Sequence, residues 1–432
     1  MPLTDAALSH SHSPVNGKRL ILTFASLLLP AQAMADGRVN LRYTHQLHLE
    51  RVREPTALLL PFPKLGGIAA FERARGIPDV LLPEVPSPIG ADPLLLRDWA
   101  IRKIQLQAAS FQEALSTVTV AVIDTGVDYN HEDLRNAMWR KPSDPLEVGY
   151  DFAHDHPNPY DVKSFDLAAC LRDERCSRGD DWQGLLANPG HGTHCAGHVA
   201  AIAQNTRGIR GVAAGARIMA LKFFYDAGER FAGTGDDEAA IRAIDYAIAN
   251  GAKIISASWG GRHPHEEAQA SELRNALLRA RDAGILVVIA AGNDGINQDT
   301  VDDPVYPAAY ASEMDHLIVV AASDQNDRLA PFSNFGERTV HLAAPGVKIL
   351  STTVGSSYSD IVDQADQIRI DWNGTSMSTP LVAGAAALIW SKFPNWSYRE
   401  VRKRILDSAR PVDSLSGKLA TSGVLDVEAA LR

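Results

Sequence analysis

Three residue types that together can break an acyl bond stand beside glycines, in one order along the chain. They are the aspartate of Val122-Ile-Asp124-Thr-Gly-Val127, the histidine of His191-Gly-Thr-His-Cys-Ala-Gly197 and the serine of Asn373-Gly-Thr-Ser376-Met-Ser-Thr-Pro380. A serine hydroxyl is a weak nucleophile until a base takes its proton; imidazole is that base near neutral pH, and a carboxylate holds the imidazole in the required tautomer. Ser376 precedes the small apolar run 381–390, which predicts a helix start. Backbone N–H groups there lack intrahelical partners and favour negative charge. A serine before an alanine-rich helix is often only an N-cap, so the weight rests on the three blocks occurring together.

The elements that must carry these residues follow from hydrophobic patterning. Val118–Ile123 is a near-continuous β-branched run, which predicts a strand buried on both faces with Asp124 just beyond its end. In open α/β sheets that edge is where sites collect. Small apolar residues after His191 predict a helix that His191 opens. Segments 217–222, 253–256, 285–290 and 317–320 read as further strands. Between them, Ile241, Ile244, Ala247 and Ile248, and then Leu273, Ala276, Leu277 and Ala280, form helical stripes. The alternation predicts an α/β fold of three layers, α/β/α, with a mostly parallel central sheet. Gly233-x-Gly235 is no dinucleotide fingerprint, because the third glycine is missing.

The 432-residue chain is long enough for a large α/β domain plus additions. Its net charge of −10 and lack of basic runs exclude nucleic acid as an expected partner. Residues 1–36 read as a signal peptide with a polar leader: Lys18-Arg19 precede the apolar run 20–29, and Pro30-Ala-Gln-Ala-Met-Ala35 offers small-residue cleavage sites. The run is too short for a stable membrane span, so a secreted or otherwise extracytoplasmic product is expected. Residues 37–93, with Leu58-Leu-Leu-Pro-Phe-Pro63, read as a propeptide or N-terminal extension, or else as a structured decoration of the main domain. The main domain runs from 94 to 432 with a loop-like insert at about 160–188. Cys170 and Cys176 in that insert suggest a loop disulfide, with a metal site as the alternative. His154-Asp-His156 reads as solvated loop and Cys195 as a buried structural thiol.

Together, Asp124-Thr-Gly-Val, His191-Gly-Thr-His-Cys-Ala-Gly, Ala291-Gly-Asn-Asp-Gly295 and Gly374-Thr-Ser-Met-Ser-Thr-Pro380 resemble the four signature blocks of the subtilases, the subtilisin-like serine endopeptidases. Ser258-Trp-Gly260, Tyr306-Pro-Ala308, Phe332-Ser-Asn334 and Ala344-Pro-Gly346 add to the match, which covers about residues 94–432. The resemblance implies that Ser376 attacks the peptide carbonyl, His191 shuttles the proton and Asp124 orients the imidazole. Asn293 is then the oxyanion side chain, paired with the backbone N–H of Ser376, and His194 is a packing residue.

The resemblance further implies a secreted endopeptidase, made as a zymogen whose own N-terminal segment acts as inhibitor and whose partners are polypeptide substrates. Ser258, Trp259 and Gly260 would form one wall of the cleft and Gly233 and Gly235 the other, binding extended peptide through its main chain. Broad or apolar preference is expected, although Asp299, Asp302 and Asp303 could redirect it toward basic side chains. Calcium is family-typical, with Asp133 and Asn205 as the matching ligands. A second family site is not expected, because His341 stands where an aspartate is usual. Ser378 and Leu381 replace residues common in the family. The alternative is a catalytically idle subtilase-fold binding module; a lipase or esterase is disfavoured because Ser376 lacks a Gly-x-Ser-x-Gly elbow.

Overall fold

Along the central strand Val120 and Val122 belong to one apolar core, while their neighbours Ala121 and Ile123 belong to a second. Strand side chains alternate between faces, so this division means that both faces of the sheet are covered. The same division recurs at Leu286 and Val288 against Val287 and Ile289. The computed structural model describes residues 41–43, 46–51, 91–106, 117–162, 190–226, 234–235, 237–264, 271–359 and 368–432. The expected signal peptide, the cysteines Cys170 and Cys176, and Gly233 lie outside these residues.

The first described elements are strands β1 (Leu41–Tyr43) and β2 (Gln46–Arg51), helix α1 (Trp99–Lys103), strands β3 (Thr119–Asp124) and β4 (Gly149–Asp151), and helix α2 (His191–Ala200). Next come β5 (Arg217–Lys222), β6 (Thr234–Gly235), α3 (Asp237–Ala249), β7 (Ile254–Ala257), β8 (Trp259–Arg262), α4 (Glu272–Asp282) and β9 (Leu286–Ala290). Then follow β10 (Val305–Tyr306), β11 (Leu317–Ser323), β12 (Leu342–Pro345), β13 (Thr352–Thr353) and β14 (Ser357–Tyr358). The last are β15 (Ile368–Asn373), α5 (Thr375–Lys392), α6 (Tyr398–Asp407), β16 (Arg410–Pro411), β17 (Gly423–Val424) and α7 (Val427–Leu431).

Nine strands make the main sheet in the order β16-β17-β12-β11-β9-β7-β3-β5-β4. Every pairing from β17 to β4 is parallel; only β16–β17 is antiparallel. Helices α2, α5, α6 and α7 pack residues into one core, and α3 and α4 into the other. The expected three-layer α/β/α architecture with a mainly parallel sheet is thus the observed one. Two local differences bear on the site. Asp124 is the last residue of β3 rather than a residue beyond it, and Trp259 and Gly260 of the expected cleft wall begin a strand of their own, Trp259–Arg262.

Further pairings lie outside the main sheet. Strand β1 sits between β6 and β8, antiparallel to both, and β2 runs antiparallel to the whole of β15. Among the described residues no helix is long and apolar enough to cross a membrane.

Candidate active site

Asp124 ends β3 and His191 opens α2, so the sheet's C-terminal edge and a helix start meet at this point. Both side chains are almost wholly buried, and His191 Nδ1 lies 2.6 Å from Asp124 Oδ1, which also accepts the Thr125 N–H at 2.8 Å. That approach requires Gly192: a Cβ there would stand 2.1 Å from the Gly126 carbonyl oxygen. Thr125 Oγ1 accepts the Gly192 N–H at 2.8 Å and donates to Asp161 Oδ1 at 2.8 Å. The other oxygen of Asp161 takes the N–H and hydroxyl of Thr193 at 2.9 and 2.6 Å. Asp161 therefore ties the aspartate turn to the histidine helix. Sequence reasoning missed it, since it sits in a loop rich in Asp, Pro and Asn where one more acid carries no signal.

Ser376 is the second residue of α5, where its N–H has no intrahelical acceptor. Four residues on stands Pro380, which has no N–H to offer the Ser376 carbonyl. That carbonyl is taken instead by Ser258 Oγ at 3.0 Å and Cys195 Sγ at 3.6 Å. Ser376 Oγ in turn lies 2.8 Å from the Ser258 carbonyl oxygen. Cys195 also lies 3.9 Å from His191 Nδ1, so one thiol touches both helix starts. Burial, and then the Asp124 charge, push its pKa well up; it remains a thiol and packs.

Asn293 follows β9. Its Oδ1 accepts the N–H and hydroxyl of Thr375 at 3.0 and 3.1 Å. Because a backbone N–H can only donate, the oxygen end is the one fixed there, which assigns Nδ2 as the donor end of the amide. His194 stacks on Trp372 with ring centroids 4.2 Å apart and contacts Ser359 Oγ at 3.2 Å. Ser378 donates to the Ala344 carbonyl at 2.9 Å and Leu381 is fully buried, so both replacements pack within the helix's own surroundings.

Of the residues expected at the substrate edges, Trp259 and Gly260 lie in β8 and Gly235 in β6, and both strands pair with β1. Trp259 Nε1 donates to the Ile123 carbonyl at 2.8 Å, which fixes β8 against the strand that ends in Asp124. Arg42 faces Gly260, Tyr43 faces Trp259, and Leu41 faces Gly235. Asp299 is held by Thr339 Oγ1 at 2.7 Å and by the Arg338 N–H at 2.8 Å, and Asp303 pairs with Arg262. Both carboxylates are engaged by residues of other segments, Asp299 by 338–339 and Asp303 by Arg262.

The expected calcium ligands do come together, but on each other. Asn205 Nδ2 donates to Asp133 Oδ1 at 2.7 Å, and Asn205 Oδ1 accepts the Arg207 N–H at 2.8 Å. Asp133 Oδ2 accepts the Ile209 N–H at 3.1 Å and the Tyr358 hydroxyl at 2.9 Å. An amide N–H aimed at a carboxylate occupies the place a cation would take, so in this arrangement the pair does not fit calcium. His341 is buried against Arg402, 2.7 Å from Nε2, and burial followed by that guanidinium lowers its pKa to about 3. Elsewhere Asp151, His154 and His156 cluster, with His154 Nδ1 at 2.8 Å from Asp151 Oδ2. His156 Nδ1 accepts the Asn158 N–H at 3.1 Å, which leaves the proton of the neutral ring on Nε2, the atom nearer the cluster.

The subtilase family model matches residues 116–426. Subtilisin Savinase of Lederbergia lenta is 32% identical over 335 residues, which is 77% of this chain and 98% of that protein. The alkaline protease of Shouchella clausii is 32% identical over 335 residues, 77% of this chain and 70% of that protein. Subtilisin E of Bacillus subtilis is 34% identical over 294 residues, 68% of this chain and 61% of that protein.

Proposed function

The chain belongs to the subtilase family of serine endopeptidases, and we propose that its peptide-bond hydrolysis is carried out by Ser376, His191, Asp124 and Asn293. Ser376 Oγ attacks the carbonyl carbon while His191 takes its proton. His191 then delivers that proton to the leaving nitrogen, and water repeats the cycle on the acyl-enzyme. Asp124 holds Nδ1 protonated, so that Nε2 is the basic nitrogen, and stabilises the imidazolium. Asn293 Nδ2 and the Ser376 N–H receive the developing oxyanion.

The observation that carries this reading is the buried 2.6 Å contact of His191 Nδ1 with Asp124 Oδ1, linked to the Ser376 helix start through the Cys195 thiol, which reaches both His191 and the Ser376 carbonyl. A solvated pair would serve structure equally well; a dry one orients a base.

Ser258, Trp259, Gly260 and Gly235, with Gly233 beside them in sequence, hold an extended polypeptide through its main chain, which gives broad side-chain preference. The product is exported and made as a zymogen: residues 1–36 serve as the signal, and chain from the 37–93 segment covers the cleft before maturation. Labelling by a fluorophosphonate tests the assignment. Wild-type protein is expected to label and Ser376→Ala not to; a folded mature wild type that fails to label would leave a fold kept for binding.

A further inference from the structure

We propose that Val305 fixes the size of the side chain accepted beside the cut bond, limiting the residue that supplies the attacked carbonyl to glycine, alanine, serine or one of similar size. The inference rests on the reading of Ser376 as nucleophile and Asn293 as oxyanion donor, and it narrows the proposed preference at that one residue.

Strands β7 and β9 are hydrogen-bonded neighbours as far as Ala257 opposite Ile289. Beyond that pair the chains part: one runs through Ser258 into β8, the other through Ala291 and Gly292 to Asn293. The attacked carbonyl lies between them. Its carbon bonds to Ser376 Oγ, an atom 2.8 Å from the Ser258 carbonyl oxygen, and its oxygen turns toward Asn293, which holds the Thr375 turn. With substrate main chain along β8, the side chain of the same residue enters the gap between 258–260 and 291–293.

Both walls of that gap are bare glycine, at 260 and 292, and what they face is Val305 of β10. A Cβ on Gly260 would lie 2.8 Å from Val305 Cγ1, and a Cβ on Gly292 would lie 3.0 Å from Val305 Cγ2. One isopropyl group therefore reaches both walls, a methyl to each.

Val305 is held there from two sides. In β10 it stands opposite Arg262 of β8, with Tyr306 opposite Gly261. Gln298 clamps it to the other wall: Oε1 accepts the Val305 N–H at 2.8 Å, and Nε2 donates to the Ala291 carbonyl at 2.8 Å, beside Gly292. The residue is 3% exposed, and its β-branch restricts χ1, so the methyl groups stay in the gap. Asp303, two residues earlier, is paired with Arg262, so a basic side chain finds that charge already matched.

A side chain that ends at Cβ, or one hydroxyl beyond it, asks for none of the volume the isopropyl fills. Leucine and phenylalanine would carry their further carbons into it, and a packed site does not take extra methylenes without strain. One methylene of misfit is worth about 10- to 200-fold in kcat/KM.

The test uses mature enzyme and chromogenic peptides that differ only in the residue before the leaving group, from alanine through valine and leucine to phenylalanine. Active sites are counted by fluorophosphonate titration, so only correctly folded enzyme enters the rates. For wild type, kcat/KM with alanine is expected to exceed that with phenylalanine by about 10²-fold. Val305→Gly is expected to reverse the order, and Val305→Ala, which keeps a strand-compatible Cβ, to fall between the two. A role in packing alone would lower all four rates together and leave their ratio fixed. Wild type that labels at Ser376 but prefers leucine or phenylalanine, or a ratio that Val305→Ala leaves unchanged, overturns this inference and leaves the proposed function standing. Folded mature protein that neither labels nor cuts any of the peptides overturns the two together.

Discussion

Thr193 gives both its backbone N–H and its hydroxyl to one oxygen of Asp161, at 2.9 and 2.6 Å. The other oxygen takes the hydroxyl of Thr125, the residue after Asp124. Since Thr193 is two residues after His191, one buried carboxylate sets the distance between the aspartate turn and the histidine helix.

Asp161→Asn replaces one acceptor oxygen by a donor, which meets the Thr125 or the Thr193 hydroxyl. The His191–Asp124 pair then loses its setting. Misplacement of a reacting group by about 1 Å costs roughly 10²-fold, so kcat is expected to fall by about that factor with KM little changed. Steady-state kinetics on a peptide substrate reads the split. A rise in KM alone would assign Asp161 to substrate binding instead.

Asn293→Ala is expected to lower kcat by about 10²–10³ and to leave KM within a factor of about two, because the donor acts on charge that exists only in the transition state. Titration with a fluorophosphonate counts folded sites, so a lost site is distinguished from a slow one. Equal falls in site count and in activity would mean that Asn293 only supports the Thr375 turn, through the contacts its oxygen makes there.

What could be read without coordinates was whatever a short window holds. Asp124, His191, Asn293 and Ser376 each stand in a block of small residues, and the reason for the small residues is local: Gly192 is where helix and turn touch. The parallel sheet was legible because its strands are apolar on both faces. Asp161 was not legible, as its partners lie 32 and 36 positions away. The same holds for Tyr358, whose hydroxyl reaches Asp133 across 225 positions. Nor does composition show that Pro380 frees a carbonyl for Ser258, 118 positions earlier. The pairing of 41–43 with β6 and β8 and of 46–51 with β15 was invisible for a different reason: main-chain pairing is indifferent to side-chain identity.

Tyr358 reaches into the Asp133 loop. Its hydroxyl lies 2.9 Å from Asp133 Oδ2 and 3.1 Å from Glu132 Oε1, and its ring lies where a Cβ on Gly208 would be. Tyr358→Phe leaves the buried Asp133 carboxylate short of a donor, a loss of about 1–3 kcal/mol. In the Ser376→Ala background, which prevents self-digestion, thermal unfolding is expected to show a lowered midpoint. The drop is expected to be the same in calcium as in chelator, since the contacts are made without an ion. A drop seen only in chelator would restore calcium to this loop.

Asp98 gives stability a pH dependence of unusual sign for a carboxylate. It caps α1 by accepting the Ile101 N–H at 3.2 Å, and burial raises its pKa to about 7, against the opposing pull of that backbone bond and of Arg102 and Arg210. In the unfolded chain the same group titrates near 3.8. Between these values the folded state holds a proton that the unfolded state has released, so stability falls as pH rises through the window and levels off above pH 7. The gap corresponds to a few kcal/mol at most. Asp98→Asn keeps a capping oxygen but cannot ionise. Denaturant midpoints in the Ser376→Ala background are therefore expected to match wild type near pH 4 and to exceed it increasingly toward pH 8. A difference that stays constant with pH would mean that the Asp98 carboxyl ionises as readily folded as unfolded, with Arg210 close enough to offset its burial.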